Sequence, residues 1–178
     1  RDELAATLKA VDEPVPFDRT MVLLAIAFSG AWIVSSGMAA HFPRIMEAAG
    51  ATPTQAIAAG ALIGPAQVAA RMLEAGPLRH LHPLTSGRLA TTTHPVGSAI
   101  LLGLGGGVAA SVFAVLHGMG NGVITIARGT VPLALYGPKS YGYRLGLLGA
   151  PSRFLSAGAP FVFALLIAGI GCLRGLQT

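Results

Sequence analysis

From Leu89 to Ala127 the chain contains no Asp, Glu, Lys or Arg. A helix crossing the hydrocarbon core of a bilayer needs about 20 predominantly apolar residues, because the core is about 30 Å thick and each residue rises about 1.5 Å. This stretch is too long for one crossing and suits two, with Gly105-Gly106-Gly107 as the break between them. Three further stretches are equally free of charge: Met21 to Ala40 between Arg19 and Arg44, Ala48 to Ala70 up to Arg71, and Phe154 to Leu173 between Arg153 and Arg174. The Thr52-Pro53-Thr54 segment suits a helix start, so the second span is expected from Gln55. The expected fold is an all-α membrane bundle of about five transmembrane helices, over residues 20-41, 55-72, 89-105, 108-128 and 154-173.

Composition excludes the main alternatives. Hydrophobic residues make up 53% and charged residues 11% of the chain, whereas soluble domains carry about a quarter charged residues. Unsatisfied backbone groups in lipid cost several kcal/mol each, so only helices or a closed barrel can span, and these runs lack the alternation of barrel strands. The net charge of +5 comes from 12 Lys and Arg with no basic run or aromatic platform, which excludes a nucleic-acid partner. Cys172 is the single cysteine, so no internal disulfide can form. His80 and His82 are too few for a metal site. Nothing in the sequence calls for a metal or a cofactor.

Residues 1-19 hold three basic and five acidic residues, with Pro14 and Pro16 and no apolar core. This segment is read as a cytoplasmic interdomain loop leading into a bundle over residues 20-178, which makes the chain a piece of something longer. Cytoplasmic loops carry an excess of Lys and Arg. The connection after the second span holds Arg71, Arg79 and Arg88, and that after the fourth holds Arg128, Lys139, Arg144 and Arg153, whereas the two opposite turns hold only Arg44 between them. The N-terminal segment and both basic connections are therefore expected in the cytoplasm.

The fourth span carries the polar residues. At 100° per residue, Asn121 lies about 40°, Thr125 about 80° and Arg128 about 20° from His117. Polar groups inside a bilayer are costly and usually face a bundle interior or a watery cavity, so His117, Asn121 and Thr125 are candidate solute contacts. In the first span Ser29, Trp32 and Ser36 share a face, where a Trp between two Ser can stack on a solute. Arg71 and Arg128 are expected at the cytoplasmic interface or a gate, Arg128 by snorkelling. Pro151 and Pro160 are expected to bend the last span. Gly118 and Gly122, Gly60 and Gly64, and Gly103 and Gly107 form GxxxG spacings, for which close helix packing is the expected role. No acidic residue falls in any span, so proton coupling would need His117 or a carboxylate elsewhere.

The order of charged linker, first span, second span ending in Ala69-Ala70-Arg71-Met72-Leu73-Glu74, helical hairpin, and Gly- and Pro-rich last span resembles the C-terminal half of a major facilitator superfamily (MFS) transporter, spans seven to eleven. The string from His117 to Pro132, with Leu133 to Gly142, is similar to the tenth span and adjoining loop of bacterial members. The resemblance implies two six-helix halves around a central cavity lined by the seventh and tenth spans, and hence by Ser29, Trp32, Ser36, His117, Asn121 and Thr125. It implies a secondary active carrier of a small solute by alternating access, with H+ or another ion as coupling partner, embedded in lipid in a bacterial inner (plasma) membrane and working with an N-terminal half of the same protein. The chain departs from the family where Ala69 and Ala70 precede Arg71, a place where an acidic residue often forms a latch; Glu74 is the nearby substitute. The readings from other classes are an intramembrane enzyme using His117 with Asn121 or a Ser, and a structural subunit of a membrane complex. No Ser here stands in a Gly-x-Ser-x-Gly turn.

Overall fold

The computed structural model describes residues 18–175, with side chains described through Gly169. Among these residues every regular element is a helix: α1 (Arg19–Ala48), α2 (Pro53–Ala75), α3 (Pro83–Leu104), α4 (Gly106–Tyr136) and α5 (Tyr141–Gly175). Their boundaries follow local chemistry. Asp18 caps α1 by accepting from the Met21 amide at 2.8 Å. Thr52 and Gln55 form a reciprocal capping box around Pro53 at the start of α2, which satisfies two orphan donors at once. Pro83 opens α3 beneath the His82 cap. Gly105, at φ +61°, ends α3 and caps α4, a backbone conformation that costs glycine no steric penalty.

Four of the five helices, α1, α2, α4 and α5 to Gly169, are long and apolar enough to cross a membrane. The third expected span is the exception. α3 has the length, at 22 residues, but its first twelve residues carry Thr85, Ser86, Arg88, Thr91, Thr92, Thr93 and His94. Its threonine hydroxyls are satisfied locally: Thr91, Thr92 and Thr93 donate to the carbonyls of Arg88, Leu89 and Ala90 at 2.7 to 2.8 Å.

Three other helices outrun the expected spans. α1 continues through Pro43 and Arg44 to Ala48, α4 continues past Arg128 to Tyr136, and α5 begins at Tyr141 rather than near Phe154. A guanidinium ends a charge-free run but does not end a helix. Val131 to Leu135 keeps α4 apolar beyond Arg128, and Arg144 lies buried with Cζ 4.5 Å from the Tyr136 ring centroid. Pro151 consequently lies inside α5, not in its approach.

The helices run up and down, with the start of α1 and the α2–α3 and α4–α5 connections at one end. Tyr136 donates to Asp18 at 2.6 Å there, and at the other end the Gly106 amide donates to the Ala49 carbonyl at 2.9 Å. α4 packs chiefly on α2 and α3, and α1 packs chiefly on α5; α1 meets α2 and α4, and α4 meets α5, more thinly. The α4–α2 approach is close because a Cβ on Gly118 or Gly122 would meet the carbonyl oxygens of Ile63 and Gln67 at 2.6 Å, the packing expected of that GxxxG pair. The other two GxxxG pairs do not pack in this way: Gly64 and Gly103 face open space.

Two apolar clusters fill the bundle. One gathers Met38, Phe42 and Met46 with Ala56, Ala59, Leu101, Ala110 and Phe113, and the other gathers Met21, Phe28 and Leu148. The outside is apolar as well, with Leu102 84% and Phe154 83% exposed. Large apolar surfaces on water-soluble monomers are rare, so an apolar exterior around an apolar interior is compatible with a multi-pass membrane protein surrounded by lipid.

Candidate functional site

A polar layer separates the two apolar clusters. The Ser35 hydroxyl of α1 donates to Asn121 Oδ1 at 2.5 Å, and the Asn121 amide lies 3.0 Å from His117 Nε2. With the amide as donor, Nε2 accepts and the His117 proton sits on Nδ1. His117 is 3% exposed and stacks on Phe113 at 5.6 Å between ring centroids. The His94 ring of α3 lies 4.9 Å from it. Polar groups from α1, α4 and α3 thus form a chain across the bundle.

Beside this layer lies a cavity of about 480 Å³. α1 supplies Trp32, Ser35 and Ser36; α2 supplies Gln67 and Arg71; α4 supplies His117, Asn121 and Thr125. Five of the six expected solute contacts therefore share one cavity. Ser29 is the sixth: it is buried, at 5% exposure, and lies outside the lining. The cavity stripe on α1 follows Trp32, Ser35, Ser36 and Ala39, an i, i+3, i+4, i+7 pattern rather than the seven-residue step from Ser29 to Ser36.

Several of these groups are already engaged. The Thr125 hydroxyl donates to the Asn121 carbonyl in its own helix at 2.8 Å. Ser36 donates to the Ser156 carbonyl of α5 at 2.8 Å. Pro160 has no N–H to offer that carbonyl four residues earlier, so Ser36 replaces the missing helical donor. One turn further along α1, the ring of His41 lies with Nε2 2.9 Å from the Pro160 carbonyl, which makes Nε2–H the donor. Ser36 thereby supplies the donor missing from α5, and His41 adds a second hydrogen bond between α1 and α5.

The two arginines expected at a gate or the cytoplasmic interface lie at different depths in their helices. Arg128 lies eight residues, about 12 Å, inside the end of α4, with its Cζ 5.6 Å from the Trp32 ring centroid. Arg71 lies on the 480 Å³ cavity near the end of α2. Pro151 and Pro160 both lie within α5.

Ser35, Gln67 and His41 were not singled out by the sequence, and His94, which beside Pro95 and Thr91-Thr92-Thr93 reads as a solvated helix entry, lies instead with its ring 4.9 Å from that of His117. Gln67 had a readable signal: it lies one turn before Arg71, on the α2 face opposite Gly122. Ser35 had only its place beside Ser36.

No protein-family model matches this chain, and no curated protein matches it.

Proposed function

We propose that this chain is the solute-binding half of a secondary active transporter, built like the C-terminal half of an MFS carrier and moving a small solute by alternating access. The observation that carries the reading is the cavity of about 480 Å³, where Trp32, Ser35, Gln67, Asn121 and Thr125 from three helices converge within the polar layer. Small-molecule sites are concave, mostly apolar, and oriented by a few polar groups. Bundles of this kind place solutes near the middle of the membrane and rock one half against the other. Pro160 takes one bond out of the α5 ladder, and the vacated Ser156 carbonyl is met by Ser36 of α1, which supports a helix able to bend at this point.

An intramembrane hydrolase has less support. It needs an activated nucleophile with a base in reach, and Ser35 donates its proton to an amide oxygen, Ser36 and Thr125 to backbone carbonyls.

The test is accessibility. In a Cys172→Ser background, Asn121→Cys in the protein in liposomes should react with a small water-soluble methanethiosulfonate reagent. A site that merely bonds neighbouring helices would be dry and unreactive, and that result would remove the carrier reading.

A further inference from the structure

A second cleft, of about 820 Å³, opens between α4 and α5 where those helices make few contacts, and it meets the first cavity at Thr125. Its lining carries two guanidinium groups, Arg128 and Arg153, and otherwise mostly small or apolar residues such as Gly149 and Ala157. Arg153 lies twelve residues, about 18 Å, beyond the start of α5, well inside the helix. Neither arginine ends its helix.

Arg128 is held in place. Trp32 of α1 lies on one side of its guanidinium, and on the other its Nη2 occupies the position 2.5 Å from where a Gly149 Cβ would project. The glycine makes room for the charge. Among the described residues the acidic side chains are Asp18, Glu47 and Glu74, and none of them lines the cleft. Intramembrane charges are ordinarily paired with one another or with carbonyls. Two like charges facing one cleft with no carboxylate in its lining attract an anion, and guanidinium forks match carboxylate and phosphate oxygens.

We propose that the α4–α5 cleft is an anion site in which Arg128 and Arg153 clamp a carboxylate or phosphate group. Taken with the carrier reading, on which this step rests, the solute is an organic acid or phosphate ester. Trp32 presents Arg128, and Gly149 admits it. The same phosphate chemistry is available from a free solute and from an anionic lipid headgroup, and the experiment separates the two.

The protein is placed in nanodiscs of phosphatidylcholine alone and titrated with inorganic phosphate and with succinate, reading the fluorescence of Trp32, the one tryptophan of the chain. Chloride at matched ionic strength is the control. The expected result is a saturable change absent with chloride. Arg153→Gln should weaken it at least about tenfold while leaving the reporter pair intact. That side chain is exposed, so its loss leaves the fold unharmed. Gly149→Ala should weaken binding by displacing Arg128 with no change of charge. No response in the native protein, or an unchanged response in Arg153→Gln, overturns the site. If phosphatidylglycerol in the discs gives the signal and soluble anions do not, the ligand is lipid and the solute assignment falls. The Asn121→Cys assay keeps the two readings apart: a reactive Asn121→Cys without anion binding sinks the anion site alone. Anion binding with an unreactive Asn121→Cys sinks the carrier alone.

Discussion

The hydroxyl of Ser36 donates a 2.8 Å hydrogen bond to the carbonyl of Ser156, the acceptor that Pro160 leaves without its helical donor. Two substitutions test this relation together. Ser36→Ala should destabilise the protein by about 0.6 kcal/mol, the average for interhelical hydrogen bonds in membranes. In a Pro160→Ala background the new amide satisfies Ser156, and Ser36→Ala should then be nearly neutral. Thermal unfolding in detergent gives all four corners of the cycle; strictly additive losses would show that Ser36 does not stand in for the proline.

Gly118 lies against the backbone of Ile63, with no room for a side chain. Gly118→Ala should force α4 away from α2 at a cost of about 1–3 kcal/mol, as overpacking does. Gly64→Ala, facing open space, should cost nothing measurable. The yield of folded protein after size-exclusion chromatography distinguishes them, and equal yields would refute the close approach.

Asp18 accepts from the Tyr136 hydroxyl at 2.6 Å and from the Met21 amide at 2.8 Å. These bonds, with the Tyr136 contribution largest, hold its carboxyl below the usual 3.8. A group whose folded pKa is depressed stabilises the fold above its unfolded pKa and loses that contribution as the pH falls through the folded value. The contribution is therefore full at neutral pH and fades below 3.8. Tyr136→Phe should move the fading to higher pH, read as earlier loss of hydrogen-exchange protection at the Met21 and Val22 amides on acidification. A profile identical to the native one would count against the link.

The basic α2–α3 connection is expected in the cytoplasm. Arg79→Cys, in the Cys172→Ser background, should resist a membrane-impermeant thiol reagent in intact cells and react after permeabilisation. Ready labelling in intact cells would invert the topology.

Much of the fold was legible because lipid imposes one simple rule on length and charge. The charge-free runs located α1, α2, α4 and α5, and Gly105 marked the hairpin between α3 and α4. Their ends were less legible, since Arg44, Arg128 and Arg144 lie within helices and counting charges stops too early at each. The cavity was partly legible: the helical angles of His117, Asn121 and Thr125 identify one face of α4. Gln67 and Ser35 join it only through the α2–α4 and α1–α4 crossings, which no single helix encodes. The same holds for Ser36, whose carbonyl partner is created by a proline in another helix.

The separation of the Ser36–Ser156 pair, 120 positions, has a consequence for biosynthesis. At about 5–20 residues per second of translation, roughly 6–24 s pass between the emergence of the two residues from the ribosome. During that interval α2 and α3, which pack mainly on α4, can assemble with it without waiting for α5. α1 is made before α2 to α5 and meets its principal neighbour, α5, last, with the hydroxyl of Ser36 and the ring of His41 lacking their α5 acceptors meanwhile. The vulnerable nascent species is therefore a three-helix assembly against which α1 rests only through its thinner contacts with α2 and α4, its α5-facing hydroxyl and imidazole still unpaired.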